Sequence, residues 1–575
     1  MDKEQKLNNI RHSLAHLLAA AIMELYPDTK RTIGPAIDNG FYFDFEFSTP
    51  ISDSDFPKIE KTMRKILPTW STFEKSELSG DEAKKEYPGN EYKHELIEEF
   101  TKNGEKVTFY KSGDYWDLCK GGHVENMSEV KPDSFKLDRL AGAYWRGDEK
   151  NKMLTRIYGL AFETKEELDA YIIQREEAEK RDHKKLGKEL GLLMFHETAP
   201  GMPYWLPKGL ILYKELENYW RKRHADLGYL EIASPLVNKS ELWKISGHWD
   251  HYKDDMFIAD MGENEVYGIK PMNCPNAMIV FQSMQVSYKN LPLRLSDTDR
   301  LHRYERSGTL NGLLRCRSFQ QDDSHNFITE DMIETEYESI MEICKEFYEV
   351  FNLEYSFRLG TRPESHLGEV ATWDKAESAL KRVLENSGKE YSIAEGDGAF
   401  YGPKIDIVMK DALGRDWQMG TMQLDFQLPE RFDLGYTDKD GTKKRPVVIH
   451  RVIYGSLERF IGVLIEHYAG AFPLWLSPVQ VKVIPVRENH NEHAKKVSDL
   501  LKENNIRVEL DDGDENLGKK VRDAKNNKIP YWIVIGDKEI EASAVTLESR
   551  DSGNLGQMPT EETLKKLLEE IKNKK

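Results

Sequence analysis

The sequence is poor in cysteine: four thiols, at positions 119, 274, 316 and 344, are spread over 575 residues. That is too few for a disulfide scaffold and matches a reducing compartment, so a cysteine of consequence here is a metal ligand or a reactive thiol. Long apolar runs are also missing. No window approaches the ~20 residues that a membrane-spanning helix needs. The opening MDKEQKLNN has neither a signal-peptide core nor an Arg- and Ser-rich transit pattern, so the expected address is the cytoplasm, with no membrane partner. Neither G-x-x-x-x-G-K-[ST] nor G-x-G-x-x-G occurs, which removes support for P-loop and dinucleotide-binding folds. No internal repeat or low-complexity tract interrupts the chain.

What is present describes a large folded protein. At ~100 to 200 residues per domain the length predicts roughly three to five domains. Apolar residues make up 39% and charged residues 32%, which excludes wholesale disorder and collagen-like structure. A formal net charge of −18 argues for solubility and against indiscriminate nucleic-acid binding, while leaving room for local basic faces.

Periodicity divides the chain. Ile10, Leu14, Leu17, Leu18, Ala21 and Leu25 form one stripe of a helix over 7–26 that must stop at Pro27, and His12 and His16 fall on its opposite face. Alternation from Phe41 to Phe47 reads as a strand. Residues 1–162 are thus expected to form an α+β domain. From 163 to 191 the chain is dense in Glu, Lys and Arg, opens with the capping pair Thr164 and Glu167, and ends at Gly191, as a connecting helix would. Over 192–476, strands at 228–233, 400–408, 416–426 and 447–449 follow no regular β-then-α alternation, which predicts an antiparallel sheet with flanking helices. Residues 477–575 carry apolar runs at 479–486, 506–510 and 531–535 between helix-like stretches, the rhythm of a small parallel α/β sheet.

Several constellations could carry chemistry. His12-x-x-x-His16 sets two imidazoles one helical turn apart, and Cys119-Lys-Gly-Gly-His123 adds a thiol and a third imidazole. Two readings compete: a tetrahedral zinc site, or a metal-free pocket in which a histidine activates water near neutral pH. The plain alternative is a pair of solvent-exposed histidines. Cys274, His325 and His450 are so far apart that no spacing rule joins them, and alone Cys274 reads as a buried structural thiol. More pointed are Arg303-Tyr304-Glu305-Arg306-Ser307-Gly308, running on through Arg315 to Asp323, and Gly455-Ser456-Leu457-Glu458-Arg459-Phe460. Guanidinium forks suit phosphate oxygens, an aromatic ring can cover a base, and small residues admit close backbone approach. Taken singly, the first also reads as a charged hairpin and the second as an amphipathic core helix.

Together these residues resemble a class II aminoacyl-tRNA synthetase, and closely the threonyl-tRNA synthetases. Arg303 to Phe319 matches motif 2 of that class, Gly455 to Phe460 matches motif 3, and Gly209 to Pro235 is similar to motif 1, a helix then a strand at a homodimer interface. Ser246-Gly247-His248-Trp249, Gln321 to His325 and Trp417 to Asp425 narrow the match to the threonine family, and it extends to Ala141 through Asp148 and over nearly the whole chain. The resemblance implies a class II antiparallel catalytic core over 192–476, an editing domain over 1–162 and an anticodon-binding domain over 477–575. It implies ATP-dependent activation of L-threonine, transfer to tRNA(Thr) and hydrolysis of mischarged seryl-tRNA(Thr). Arg303, Arg459 and Lys404 would be catalytic. Glu305, Arg315, Phe319, Gln418 and Ser456 would bind ATP with Mg2+, and Met272, Gln321, Asp323, Tyr401, Thr421 and Gln423 would line the amino-acid site. Cys274, His325 and His450 match the family's zinc ligands, one ion per subunit. His12, His16, Lys93, Asp117, Cys119 and His123 would form a metal-free editing pocket, and Glu541 and Arg550 would read the anticodon.

Departures accompany the match. The chain opens at the editing domain, without the ubiquitin-like module that often precedes it, Cys274-Pro-Asn-Ala replaces Cys-Pro-Gly-His, and Cys119-Lys-Gly-Gly-His123 replaces Cys-x-Gly-Pro-His. Two rival readings are a non-catalytic RNA-binding regulator on a synthetase fold and a class IIa enzyme for another amino acid such as proline. The first has no need of the retained arginines and metal ligands. The second has no use for a three-ligand zinc site or the H-x-x-x-H pocket.

Overall fold

The computed structural model describes residues 3–102, 104–263, 265–410 and 414–575, and every candidate site residue is among them. Two compact units emerge, Met1–Glu176 and Glu177–Lys575.

In the first unit, helix α1 (Lys3–Leu25) ends ahead of Pro27, where the missing N–H forbids another turn. Every residue from Ser13 to Ile22 is buried, so the helix is enclosed on all sides rather than along one stripe, and the face carrying His16 is not solvated. Its apolar residues pack on Phe41, Phe43 and Phe45 of strand β1 (Gly40–Glu46). That strand belongs to an antiparallel sheet with Met153–Ala161 and Phe135–Tyr144. Helix α2 (Glu91–Phe100) supplies Lys93, and strand β2 (Tyr115–Leu118), in a second antiparallel sheet, supplies Asp117.

The expected connecting helix is two helices. Lys165–Arg181 is followed by α3 (His183–Glu189), because Asp182 leaves helical geometry and its carboxylate accepts the Lys184 N–H at 2.7 Å, capping the second helix.

The second unit is built on a nine-stranded sheet. Helices α4 (Pro207–Asp226) and α5 (Cys274–Gln282) precede its central strands β3 (Ser318–Ile328), β4 (Lys404–Lys410), β5 (Asp416–Asp425) and β6 (Val447–Ser456). The order β3-β6-β5-β4 is antiparallel throughout, and only the outermost pairings are parallel. The expected strand at 400–408 begins later, at Lys404, since Pro403 cannot donate to a ladder. The one expected at 447–449 runs on to Ser456, its apolar pattern interrupted by His450 and Arg451. Helix α6 (Leu457–His467) follows directly, with the Ser456 hydroxyl capping the Arg459 N–H at 3.2 Å. Near the C-terminus, Val481–Pro485 lies between Val508–Leu510 and Tyr531–Ile535, all parallel as expected. The hairpin β7 (Ala544–Ser549) with Gly553–Pro559 extends this sheet antiparallel, which the apolar runs did not signal.

The pairing of β3 with β6 breaks once, at a bulge between Gln321 and Asp323. Two fully buried carboxylates fill the gap in the ladder. Asp322 accepts the N–H groups of Ile453 and Gly455 at 3.0 Å each, and Glu458, in the first turn of α6, accepts the Gln320 N–H at 2.8 Å. Burial pushes each carboxyl up to about 7. A carboxyl whose folded pKa exceeds its unfolded one favours the fold while protonated, and that contribution is lost as pH rises from the unfolded toward the folded value. Glu458→Gln keeps an acceptor without a charge. The variant should therefore lose less stability than the parent between about pH 4.5 and pH 7, a difference readable in denaturant midpoints across that range.

Candidate functional sites

A cavity of about 400 Å³ opens against β3, β5 and β6. At one end three side chains from remote parts of the chain meet. Cys274 starts α5, and His325 and His450 are cross-strand partners on β3 and β6, their rings edge-on with centroids 4.9 Å apart. One ligand atom from each lies within 4.8 Å of the others, and all three residues are buried. Both ring nitrogens of His325 and Nδ1 of His450 have no hydrogen-bond partner, which is costly for buried polar atoms unless something else binds there. His450 Nε2 is 2.8 Å from Asp425, the outer-shell carboxylate that commonly orients a metal-binding imidazole. Without a cation, burial pushes the Cys274 thiol well up and pulls His325 well down. A thiolate with two imidazoles is a donor set that suits zinc.

Beside this cluster, Asp323 accepts from Asn273 at 3.2 Å, and burial raises its carboxyl to about 6. Tyr401 donates to Gln423, and Met272 and Gln321 complete that end. Thr421 and Gln418 line the cavity as well, but both side chains are tied to Asp406, at 3.0 and 2.8 Å. Lys404 is not a lining residue; its ammonium lies 2.9 Å from Asp406 and 3.1 Å from Asp397, and its backbone is opposite Gln423.

The other end is basic. Arg303 donates to the Pro271 carbonyl at 3.2 Å and lies 5.1 Å from the centre of the Phe319 ring. Arg459 donates to the Leu314 and Gln418 carbonyls at 2.9 and 2.6 Å. Arg315 pairs with Glu305 at 3.0 Å across a half-exposed gap. Ser456 borders this end at the start of α6.

In the first unit, His12, His16, Cys119 and His123 bring one ligand atom each within 4.8 Å of one another. Cys119 Sγ is 3.4 Å from His12 Nε2 and 3.3 Å from His123 Nε2. A pocket of about 630 Å³ is lined by His12, His16, Cys119, Lys93 and Asp117, while His123 sits behind, stacked on Phe73. Burial lowers His16 to about 3 and His123 to about 2, and raises Cys119 to about 11, so the cluster is uncharged at neutral pH. Behind it, Lys93 and Asp117 form a fully buried ion pair at 2.6 Å. Burial alone would push the Asp117 carboxyl up, but Lys93 and Arg31 hold it below the ordinary range.

The two C-terminal candidates are separated. Glu541 is exposed ahead of β7, and Arg550 follows its far end, a six-residue strand of about 17 Å away. The Arg550 guanidinium is engaged by the Phe472 and Lys528 carbonyls at 3.0 and 2.9 Å and by Asp551.

Known proteins match along the whole chain. Residues 257–468 match the tRNA synthetase class II core domain (G, H, P, S and T), residues 480–570 the anticodon binding domain, and residues 107–158 the threonyl and alanyl tRNA synthetase second additional domain. A threonine–tRNA ligase of Clostridium botulinum is 52% identical over 98% of this chain and 89% of its own length. One of Acetivibrio thermocellus is 50% identical over 100% and 90%. The chain belongs to the threonine–tRNA ligase family. Among solved structures, the RNA binding domain of threonyl-tRNA synthetase from Cryptosporidium parvum is 41% identical, with a TM-score of 0.65, covering 68% of this chain and 98% of that one.

Gly122 stands where the resemblance expects proline, with a φ of 90° that proline cannot adopt, and its carbonyl lies 3.2 Å from His12 Nδ1. Several residues were not anticipated: Tyr252, Leu313, Leu314, Cys316, Met419 and Arg451 line the cavity beside Cys274, and Arg31, Tyr87 and Tyr115 surround Asp117. Only Tyr115 had a sequence signal, since residues two apart on a strand share a face with Asp117. Among the described residues, no helix is long and apolar enough to cross a membrane.

Lys93→Met would strand the Asp117 carboxylate in the interior. Breaking such a buried pair costs about 3 kcal/mol or more, whereas Lys93→Met combined with Asp117→Asn, which removes the stranded charge and keeps an acceptor for the Tyr87 and Tyr115 hydroxyls, should recover part of it, as read from the melting of the first unit.

Proposed function

We propose that the chain activates L-threonine with ATP, transfers it to tRNA(Thr), and hydrolyses mischarged seryl-tRNA(Thr) in its first unit. The observation that carries this reading is the buried Cys274, His325 and His450 cluster, with three unpartnered ring nitrogens, at the end of a basic cavity. Zn2+ would be held by the Cys274 sulfur, His450 Nδ1 and a ring nitrogen of His325, and when bound would offer open positions to the amino and hydroxyl groups of threonine.

The chain's own groups do the rest. Arg303 would hold the ATP α-phosphate and the threonine carboxylate, stabilising charge as the phosphorus becomes five-coordinate. Arg459 and Arg315 would take the terminal phosphates with Mg2+, Phe319 would cover adenine, and Glu305 would accept from its amino group. Separating the half-exposed Arg315 and Glu305 pair costs little. No covalent nucleophile is needed, because positioning and fixed charge suffice for this transfer. Gln423, Tyr401, Asp323, Met272, Gln321 and Thr421 would surround the amino acid.

Valine lacks the hydroxyl such a site is built for, so rejection by several orders of magnitude is expected; serine lacks only a methyl, worth ~1 to 3 kcal/mol. Serine is therefore activated at a low rate, and a second pocket is required. There His12, which lines the pocket, would accept a proton from water, with His16 and His123 kept neutral by burial beside it and Lys93 and Asp117 supporting the floor. The C-terminal segment would bind the anticodon through the exposed Glu541, and through Arg550 if it gives up its carbonyl partners. A homodimer through Gly209 to Pro235 is supported by exposed Leu210 and Leu230.

Exchange of labelled pyrophosphate into ATP, measured with each standard amino acid in turn, tests the reading. Threonine should be strongest, serine weak and valine near background; a preference for proline, or no exchange, would sink it. In Cys274→Ser, zinc content and threonine-dependent exchange should fall together by at least about 10-fold with the circular dichroism unchanged. His12→Ala should aminoacylate with threonine normally and accumulate seryl-tRNA, whereas equal seryl-tRNA in variant and parent would remove the editing role.

A further inference from the structure

His183 stands outside every matched motif, in the first turn of α3, and its side chain is 1% exposed. Its Nε2 accepts the Leu313 backbone N–H at 3.0 Å, which leaves Nδ1 as the protonated nitrogen, and that N–H donates to Glu466 at 2.7 Å. Leu313 and Leu314 line the basic end of the cavity beside Cys274, with Arg315 next in sequence. The Leu314 carbonyl in turn accepts from Arg459 at 2.9 Å. Glu466 and Arg459 both belong to α6, so the contacts close a ring: α6, the imidazole, the loop, and α6 again.

Packing around the ring leaves it little freedom. Gly312 has a φ of 53°, and a side chain there would collide with the imidazole. A Cβ on Gly462, on the facing side of α6, would sit 3.2 Å from Leu313 and Leu314 and 3.7 Å from the imidazole. A second contact from α3 reaches the same loop, Lys184 to Asn311 at 3.2 Å.

We propose that His183 is a positioning residue for nucleotide binding: it fixes the backbone of the 307–315 loop against α6 and so holds Arg315 and Arg459 at the separation the terminal phosphates require. The inference rests on the ATP-binding reading of that cavity end. The imidazole touches no substrate. It acts by satisfying a buried N–H whose release would let Leu313 and Leu314 move and would deprive Arg459 of one of its two carbonyl partners.

Steady-state pyrophosphate exchange with separate titration of ATP and threonine is the test, using the full chain. His183→Ala should raise the KM for ATP roughly 10-fold and lower kcat, with the KM for threonine and the zinc content within about 2-fold of the parent. His183→Gln, which keeps an acceptor within reach of Leu313, should recover most of the ATP affinity. If His183→Ala is insoluble, Glu466→Ala, which frees the imidazole without touching the loop, must give the same split. An unchanged KM for ATP, or KM values for ATP and threonine that rise together, would reduce His183 to a packing residue and overturn the proposal. A parent with no threonine-dependent exchange would instead refute the functional reading, and this inference with it.

Discussion

The register of β3 against β6 is the constraint on which the cavity of the second unit depends. His325 is opposite His450 and Asp323 opposite Val452; continued regularly, that pairing would set Gln321 opposite Tyr454. The bulge sets it opposite Ser456 instead, a slip of two residues that preserves which face each side chain takes. Tyr454 is thereby released into the core, where it meets Phe347 and Phe460. Ser456 and the start of α6 move up to the cavity in its place. One strand pair thus presents two of the three metal-type donors at one end, where Cys274 of α5 joins them, and a guanidinium-bearing helix start at the other, and the Asp322 and Glu458 carboxylates are what satisfy the backbone in between.

Charge placement follows a second rule. The chain carries a net −18, yet the arginines at the cavity are held mainly by backbone carbonyls: Pro271 for Arg303, and Leu314 and Gln418 for Arg459. A carbonyl orients a guanidinium without cancelling its charge, so the local field stays positive for a polyphosphate. Only Arg315 has a carboxylate partner, and that pair is half-exposed. The pocket of the first unit follows the opposite rule. Its buried cationic charge, on Lys93 and Arg31, is neutralised by Asp117, and the histidine and cysteine cluster beside them is uncharged.

Local patterns in the sequence carried the elements well where they were long and periodic. The helix ending at Pro27, the antiparallel strands of the core and the three parallel C-terminal strands were all legible from period and turn chemistry. The hairpin from Ala544 was not, because Val545 and Leu547 offer too short an alternation. The sites divide in the same way. His12 and His16 were joined by helical spacing, but Cys274, His325 and His450 had no local rule to unite them and entered only through family resemblance. Two of that trio come together by cross-strand register, a property of pairing that no single segment encodes. His183 carries no local signal for a related reason: its partners, Leu313 and Glu466, are more than a hundred residues away, and a histidine in a Lys-rich helix looks like surface.

The two pockets differ because the two errors they face differ. Rejecting valine requires a group that valine leaves unsatisfied, and in the reading proposed above the buried Cys274, His325 and His450 cluster would supply the site where that group matters. Rejecting serine cannot use the same device, since serine satisfies every polar contact threonine makes. What remains is time and a second test, applied to the ester after synthesis, where the useful chemistry is proton acceptance rather than cation binding. Burial keeps the imidazoles and the Cys119 thiol of that pocket uncharged at neutral pH, and it makes His16 and His123 weak bases, so in the reading proposed above His12, which lines the pocket, is the imidazole placed to take a proton from water.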